Sequence, residues 1–451
     1  MSRIGVLGAG ISGLTAAYQL RQHGHSVQVL EATNRPGGVI RSEATDGFLV
    51  EHGPNSLRPS PLLEKTIQSL SLDEERVWAN DAASTRYIVR DGHPLPLPTS
   101  VGEFLTTNLF SSYAKLRLLG EPFVGRSSDP EESLADFTRR RLGPDVLDYA
   151  VAPFVGGVYA GDPEQLSARH AFERLVEWED EYGSLFWGAM RSAGESSSDV
   201  DVPSGLFSFQ QGIETLPQAL AEALENSIQY ETPVTGLHQN GDTWSVSVDA
   251  PTSAPKSQTF DDLICTFPLH QLNTLSLSSS VDLSPLTDVP YPPVQVVALG
   301  YPSSAVSHPL DGFGMLVPPV ENDYDILGTL FSSTLFPGRA PVDHALLTTF
   351  VGGARAPELA SRDADAIQSI VERDLDRLLG ITGDPVFSRH VHWPRAIPQY
   401  VLGYGAVKDT LTALEETTPG LYFAGNYRQG VAVGDAMASG ATAADRLRSS
   451  L

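Results

Sequence analysis

The spacing of apolar and polar residues at the start of the chain predicts a strand, a tight turn, a helix and a second strand. The apolar run Arg3–Leu7 predicts a buried strand, and the spacing of apolar residues over 14–20 predicts a helix that ends near Gly24. A second apolar run, Ser26–Leu30, predicts the next strand. This order is typical of an α/β unit with a parallel sheet.

The same patterns predict further elements along the chain. Helices are predicted over 61–70, 131–142, 144–150, 211–225, 364–379 and 434–448. Strands are predicted over 86–89, 94–98, 263–267, 294–300, 313–317, 326–331, 346–352 and 421–426, with a strand that ends in a turn over 48–56 and a hairpin over 234–248. Residues 102–205 are mainly helical in pattern, with a surface loop over 195–201.

A glycine-rich sequence joins the first strand to the first helix. It reads Gly8-Ala9-Gly10-Ile11-Ser12-Gly13. Gly8 allows the turn, Gly10 lets the backbone approach a pyrophosphate, and Gly13 lets the helix and strand pack closely. We expect the phosphates at the helix start, beside Ile11 and Ser12. Glu31 ends the second strand, where a carboxylate accepts hydrogen bonds from a ribose diol, so the sequence predicts a dinucleotide site.

The residues after the second strand favour FAD as the dinucleotide. Arg35, Gly37, Gly38 and Ser42 form an R-x-G-G-x-x-x-S element, which is typical of flavoproteins with a two-dinucleotide-binding fold. The glycines let the chain pass close to the flavin diphosphate, and the arginine is expected to supply a charge-assisted contact. NAD dehydrogenases lack this element.

Composition limits the classes of partner. The chain has 451 residues, 41% of them hydrophobic, which suits two or three globular lobes. Its 30 basic and 55 acidic residues give a net charge of −25, which disfavours binding to nucleic acid and to anionic lipid. The acidic, lysine-poor surface fits a saline habitat or an arginine-favouring genome equally well.

The sequence also bears on the cellular location of the protein and on whether it binds a metal. The single cysteine, Cys265, excludes a disulfide within the chain and fits a reducing compartment. We see no signal peptide and no apolar run long enough to span a membrane, so cytoplasm is expected. No residues suggest a metal site.

Several features each leave two interpretations open. Arg86 opens a strand beside the Asp91-Gly92 turn and is either a solvated strand-edge charge or a ligand contact. The paired Gly156 and Gly157 lie between predicted helices and are either backbone that comes close to another group or a packed turn. Apolar residues over 104–123 either pack within a helical lobe or contact a bilayer surface.

Taken together, these motifs resemble the protoporphyrinogen oxidase family over essentially the whole chain. The final motif is the most specific of them. The resemblance is carried by the glycine-rich turn, residues 35–38, 139–144, 156–162 and 312–318, Ile397-Pro398-Gln399-Tyr400, and Ala424-Gly425-Asn426-Tyr427-Arg428-Gln429-Gly430-Val431-Ala432-Val433-Gly434-Asp435.

The resemblance implies an oxygen-dependent flavoenzyme with non-covalent FAD. It would oxidise protoporphyrinogen IX to protoporphyrin IX in three two-electron flavin cycles, each releasing hydrogen peroxide. The family's fold implies an α/β, Rossmann-like FAD domain of the two-dinucleotide-binding type (residues 1–85, 206–275 and 391–451). A sheet-based substrate domain (86–100 and 276–390) and a helical, membrane-facing domain (101–205) complete it.

The resemblance also assigns site residues. Arg86 matches the arginine that pairs with a substrate propionate, and the carbonyl of Gly157 is placed to accept from pyrrole N–H groups. The residues that line the tetrapyrrole slot are Phe154, Gly157, Leu316, Leu330 and Phe350. Additional cofactor contacts are implied at Gly53, Asn55, Val234, Gly425, Val431 and Val433. No catalytic acid or base is expected, because the hydride goes to flavin N5.

Three alternatives remain. A close relative oxidises coproporphyrinogen III to coproporphyrin III by the same flavin mechanism. A flavin amine oxidase shares the first motif, but that family usually has arginine at the position of Val39 and a lysine near flavin N5. A non-enzymatic flavoprotein or haem-binding module is the third. A homodimer and a weak peripheral contact with the inner face of the cell membrane are left open.

Overall fold

A computed structural model of the chain describes residues 2–127, 129, 131–195, 203–249, 256–277 and 281–451. Two large sheets and a helical region make up the fold. The surface loop predicted over 195–201 lies, apart from Glu195, outside the described residues.

A five-stranded parallel sheet carries the glycine-rich turn. From edge to edge its strands are β20 (Leu421–Phe423), β13 (Asp262–Cys265), β1 (Arg3–Leu7), β2 (Ser26–Leu30) and β9 (Ile228–Gln229). Helix α1 (Ile11–Gln22) packs against α16 (Val433–Ser450). A Cβ on Gly440 would lie 2.1 Å from the carbonyl oxygen of Ser12, so the two backbones are in direct contact. The first and last segments of the chain therefore form one unit.

A seven-stranded sheet forms the second layer. In order its strands are β19 (Phe387–Trp393), β15 (Val294–Pro302), β18 (His344–Gly352), β17 (Ile326–Phe331), β16 (Gly314–Leu316), β6 (Arg86–Arg90) and β7 (His93–Pro96). All neighbours are antiparallel except β16 and β6. The amphipathic helix α14 (Ala364–Leu379) buries its apolar side on one face of this sheet, among residues such as Met315 and Phe331.

Smaller elements connect the two sheets. A four-stranded sheet contains β12 (Ser257–Phe260), β11 (Thr243–Val248), β10 (Val234–Asn240) and β14 (Ser276–Leu277). Two-stranded pairs are formed by β3 (Ser42–Thr45) with β4 (Phe48–Glu51) and by β5 (Arg76–Trp78) with β8 (Phe207–Phe209). The remaining helices here are α2 (Pro61–Ser69), α11 (Thr215–Ala223), α12 (Ser284–Thr287), α13 (Ser332–Leu335) and α15 (Gly405–Thr417).

The helical region contains α3 (Val101–Thr106), α4 (Ser112–Leu119), α5 (Leu134–Arg141), α6 (Pro144–Val146), α7 (Ala152–Tyr159), α8 (Ala168–Ala171), α9 (Glu173–Tyr182) and α10 (Leu185–Glu195). Some of its apolar residues are buried and others are exposed to solvent. Leu109 and Phe110 are buried, whereas Leu116, Leu119 and Phe123 are 69%, 71% and 91% exposed. Part of this stretch therefore packs within the helical region, and contact of the exposed residues with a bilayer stays a prediction. No described helix is both long and apolar enough to cross a bilayer.

Of the two interpretations of Gly156 and Gly157, the packed turn is wrong, because both residues lie inside helix α7. A Cβ on Gly157 would lie 2.3 Å from Leu316 Cδ2, so the glycine permits close packing of the helix on the sheet. Glycine is unfavourable inside a helix by about 1 kcal/mol, so a glycine pair favours a turn over a helix. Close tertiary packing outweighs that preference here.

Candidate cofactor and substrate site

The glycine-rich turn forms a compact cradle that is open on one side. Gly8 has φ of +105°, and a Cβ on Gly13 would lie 2.1 Å from the Gly8 carbonyl oxygen, so both positions require glycine. No atom lies within 4 Å of the place that a Cβ on Gly10 would take. Helix α1 begins at Ile11 without a side-chain cap. The turn therefore presents a helix N-terminus beside open space, as an anion site requires.

Glu31 is buried and holds the cradle from the end of β2. Its Oε2 accepts from the Ala9 N–H at 2.7 Å, and its Oε1 accepts from the N–H and hydroxyl of Thr33 at 2.9 and 2.8 Å. A carboxylate has about four acceptor positions. These three bonds therefore leave room for one more donor, such as the ribose hydroxyl that the sequence predicts.

The loop after β2 packs directly on the cradle. Gly37 N donates to the Ala9 carbonyl at 2.8 Å, and Gly37 and Gly38 have φ of +101° and +60°. The guanidinium of Arg35 donates to the carbonyls of Pro36, Gly38 and Ile40 in its own loop. Arg35 therefore stabilises the conformation of its own loop. The contact with a diphosphate that the sequence predicts would be a second role.

Glu214 supports the same loop from the start of α11. Its Oε1 lies 3.6 Å from Arg35 Nη1, and its Oε2 accepts from Ser42 N at 2.9 Å. Glu214 could not be predicted as part of this site, because it is remote along the chain and belongs to no short motif.

The final motif supplies a second helix start near the same sheet. Gly425 has φ of +158° and its N–H donates to Ser439 Oγ at 3.0 Å, while helix α16 begins at Val433, two residues after Val431. Asp435 Oδ2 accepts from Ala432 N at 3.2 Å, and burial raises the pKa of this carboxyl. Because β1, β2 and β20 are parallel, Gly8, Glu31 and this motif all lie at the carboxyl ends of strands, where such sheets bind ligands.

The turn at residues 52–55 connects the cradle to the seven-stranded sheet. A Cβ on Gly53 would lie 2.4 Å from the Val39 carbonyl oxygen, and Asn55 Nδ2 donates to the Gly53 carbonyl at 3.0 Å. Trp393 Nε1, from β19, donates to the His52 carbonyl at 2.8 Å. Asn55 also lines a cavity of about 10 Å³ with Thr348 and other residues of the sheet. The turn therefore lies where the two layers meet.

Val234 opens β10 near the ribose end of the cradle. Two residues before it, Thr232 N donates to the Glu31 carbonyl at 2.8 Å. Val234 is therefore brought into the neighbourhood of Glu31 by backbone pairing.

Four predicted substrate residues lie on one face of the seven-stranded sheet. Leu316 and Phe350 both pair with Gly328, while Arg86 and Leu330 both pair with Gly314 in the next row. Directly paired residues share a face, and so do residues two apart on one strand. Helix α14 covers the opposite face, so this face is turned towards α7 and the cradle.

Helix α7 covers part of this face and contributes the other two predicted residues. Phe154 is 43% exposed, and its ring lies 6.1 Å from that of Phe172 in an edge-to-face contact. The N–H groups of Ala160 and Gly161 both donate to the Val155 carbonyl. Neither therefore bonds to the Gly157 carbonyl, which is left at the helix end as an acceptor for another donor.

Arg86 is exposed at the first position of β6. Its guanidinium carbon lies 5.2 Å from the centre of the Phe313 ring. No carboxylate oxygen of the described residues lies within 4.0 Å of its side-chain nitrogens. The structure places Arg86 beside the apolar face with an unpaired charge, which suits a ligand contact and a solvated edge residue alike.

A cluster of ionisable residues next to the 52–55 turn could not be predicted from the sequence. His52 Nε2 lies 3.0 Å from Glu43 Oε2, which also accepts from Arg389 Nη2 at 2.6 Å. Burial lowers the pKa of His52, and the positive charge of Arg41 lowers it further. The cluster joins β3, the turn and β19. No sequence signal connects residues so far apart.

Comparisons with known proteins agree with this geometry. The family model described as flavin containing amine oxidoreductase matches residues 11–448. The chain is 36% identical to protoporphyrinogen oxidase 2, chloroplastic/mitochondrial, of Arabidopsis thaliana, covering 98% of this chain and 93% of that protein. It is 28% identical to coproporphyrinogen III oxidase of Bacillus subtilis, covering 97% and 96%.

A solved structure shows the same fold over the full length. A protein from Exiguobacterium sp. 255-15, provisionally described as a protoporphyrinogen oxidase, matches with a TM-score of 0.83 and 25% identity, covering 100% of this chain and 99% of that one. The family match and the full-length relatives confirm the resemblance seen in the motifs. The chain belongs to the flavin-containing amine oxidoreductases and, within them, to the protoporphyrinogen oxidase family.

Proposed function

We propose that this chain binds FAD non-covalently and oxidises protoporphyrinogen IX to protoporphyrin IX with molecular oxygen, releasing hydrogen peroxide. The observation that carries the proposal is the meeting of a dinucleotide cradle and an apolar sheet face at the 52–55 turn. The full-length similarity to the Arabidopsis enzyme supports the choice of substrate.

The residues of the cradle fit FAD. Gly10 leaves open space beside an uncapped helix start, and the Arg35 loop packs on the cradle where a second phosphate would need backbone close by. Glu31 retains an acceptor position for a ribose hydroxyl. FAD, when bound, supplies the redox chemistry by accepting a hydride at its N5 position.

The protein's own residues would bind and orient the substrate. A porphyrinogen is an apolar macrocycle with anionic arms, so its site needs aliphatic and aromatic walls and a positive charge. Leu316, Leu330 and Phe350 provide one wall, and Phe154 lies on the helix that covers it. The Gly157 carbonyl is available to a pyrrole N–H, and Arg86 to a propionate. These contacts position the reacting methylene without a catalytic acid or base.

Turnover of the two porphyrinogens tests the proposal. The purified, flavin-loaded protein is given protoporphyrinogen IX or coproporphyrinogen III in air, and porphyrin fluorescence is followed against the uncatalysed rate. We expect a higher kcat/KM for protoporphyrinogen IX. The full-length similarity to the Bacillus subtilis protein favours coproporphyrinogen III as the second candidate, and a higher kcat/KM for that substrate would select it. Turnover of neither would overturn the proposal.

We also propose weak, peripheral attachment of the helical region to a membrane from the cytoplasmic side. Leu116, Leu119 and Phe123 expose apolar surface on and just after helix α4, and the substrate and product are themselves apolar. The net charge of −25 opposes binding to anionic lipid, so attachment would be weak.

A further inference from the structure

A second arginine lies at the other end of the apolar sheet face. Arg355 follows β18, and the backbone just before it is tied to the end of α7 by the bond from Ala354 N to the Ala160 carbonyl at 2.7 Å. Arg355 Nη1 lies 4.0 Å from the place that a Cβ on Gly156 would take, and Leu327 Cδ2 lies 3.9 Å from the same place. The guanidinium is therefore held between α7 and β17.

The position of Leu327 shows on which side of the sheet Arg355 lies. The pairing of β17 with β18 is irregular between Ile326 and Gly328. Leu327 packs in a cluster with Val296 and Phe350, which belong to the face proposed to bind substrate. Arg355 therefore lies on that face as well.

The charge of Arg355 is not matched by the protein. No carboxylate oxygen in the described part of the chain lies within 4.0 Å of its guanidinium nitrogens, although the chain has 55 acidic residues. The side chain is accessible to solvent, yet burial lowers its pKa, and the more distant Asp162 offsets this effect only in part. A positive charge that lies beside an apolar face without a paired carboxylate would be compensated there by an anionic ligand.

Sheet geometry gives the separation between Arg86 and Gly352, the last residue of β18 and three residues before Arg355. Arg86 is three strands away from β18, which corresponds to about 14 Å at the usual strand spacing. It shares a row with Thr348, and the four residues from there to Gly352 add about 13 Å along the strand. The resulting backbone diagonal is about 19 Å, and two long arginine side chains that reach inwards would shorten the span that a tetrapyrrole with extended arms has to bridge.

The two candidate substrates place their charges differently. Protoporphyrinogen IX carries its two propionates on adjacent pyrroles, at one edge, with vinyl groups at the opposite edge. Coproporphyrinogen III carries a propionate on each of its four pyrroles, so both edges are anionic. A macrocycle held by Arg86 at one edge therefore presents vinyl groups or carboxylates to the far end of the face.

We propose that Arg355 is a specificity-determining residue that binds the carboxylate arms of substrates with propionates at both edges, such as coproporphyrinogen III. This inference rests on the proposed function, because it requires a porphyrinogen on this face. Two arginines at opposite ends would accept coproporphyrinogen III with paired charges, whereas vinyl groups gain nothing from Arg355.

Arg355→Met tests this inference, with Arg355→Lys and Arg362→Met as matched variants. Arg355→Met keeps an unbranched chain but removes the charge, and Arg362→Met removes an exposed positive charge from the same connection after β18. For each flavin-loaded protein we would measure kcat/KM on both porphyrinogens and the inhibition constant of coproporphyrin III during protoporphyrinogen turnover. The inhibition constant provides a result even if coproporphyrinogen III is a poor substrate.

We expect Arg355→Met to raise the KM for coproporphyrinogen III, or the inhibition constant of coproporphyrin III, about tenfold. The kcat/KM for protoporphyrinogen IX should change less than about twofold. Arg355→Lys keeps the positive charge and should retain part of the binding that Arg355→Met loses. Arg362→Met should have the same constants as the parent protein. Equal effects on both substrates, or none, would overturn the role of Arg355 while leaving the proposed function intact. A parent protein inactive on both porphyrinogens would instead refute the proposed function itself.

Discussion

Arg86→Ala is the variant that tests substrate binding most sharply. Arg86 lies in the same row of the sheet as Leu330 and carries a charge that no described carboxylate pairs within 4.0 Å. A propionate brought against this apolar face loses hydration, and a guanidinium can return two charge-assisted hydrogen bonds. In a chain with a net charge of −25, an anionic substrate also needs a local positive site.

The magnitude of the loss follows from the exposure of the side chain. A hydrogen bond to a charged group contributes about 1.5–3 kcal/mol, and the exposed position of Arg86 favours the lower end. At about 1.4 kcal/mol per factor of ten, kcat/KM should fall at least tenfold. The loss should lie mainly in KM, because the propionate is remote from the methylene that reacts. Arg86→Lys should recover part of the loss, since it keeps the charge without the planar fork.

Steady-state kinetics on protoporphyrinogen IX, with flavin content and thermal unfolding measured in parallel, provide the assay. The contact of Arg86 with Phe313 is exposed and worth about 0.5–1 kcal/mol, so stability should change little. Arg448→Ala, which removes a partly exposed charge from the end of α16, controls for net charge. An unchanged KM in Arg86→Ala would leave Arg86 as a solvated edge residue, and the proposed orientation of the substrate would have to be abandoned.

Three further predictions concern the cofactor, the membrane and pH. Gly10→Trp should abolish flavin loading by filling the open space of the cradle, which the absorbance of the purified protein checks. Flotation with liposomes should show weak attachment that salt strengthens by screening the charge, and Phe123→Ser should reduce it; no binding at any salt would refute attachment. Burial lowers the pKa of His308, whose Nδ1 accepts a hydrogen bond from Leu310 N. The neutral ring therefore stabilises the folded protein above the unfolded pKa of about 6.5, and this stabilisation is lost as pH falls through the folded pKa. Urea midpoints at pH 7.5 and 5.5 should therefore differ less in His308→Gln than in the parent.

Elements with local signals could be predicted from the sequence. The predicted bounds of helix α14 agree with the observed ones, and both ends have local signals, since Asp363 caps the start and Gly380, in the left-handed region, ends the helix. The strand, turn and helix around Gly8 are also predicted by local residues, and the structure contains all three. In each case the residues that determine the structure are neighbours along the chain.

Features that depend on distant contacts could not be predicted. The glycines of α7 are explained only by Leu316, which packs against them from another part of the chain. Arg35 bonds to its own loop, which a motif that specifies residue types does not show. The pairing of Glu43 with Arg389 joins β3 to β19 and leaves no pattern in either segment. Sheet register likewise brought Arg86 and Phe350 onto one face, which the sequence suggested only through family resemblance.

The stoichiometry of oxidation tests the central claim most directly. Purified protein would be given protoporphyrinogen IX in air, and porphyrin, hydrogen peroxide and acid-released flavin would be quantified together. The account predicts FAD in the acid supernatant and three hydrogen peroxide molecules for each protoporphyrin IX formed, because six electrons leave in three two-electron steps. Flavin-loaded protein that forms porphyrin no faster than the uncatalysed reaction would contradict it.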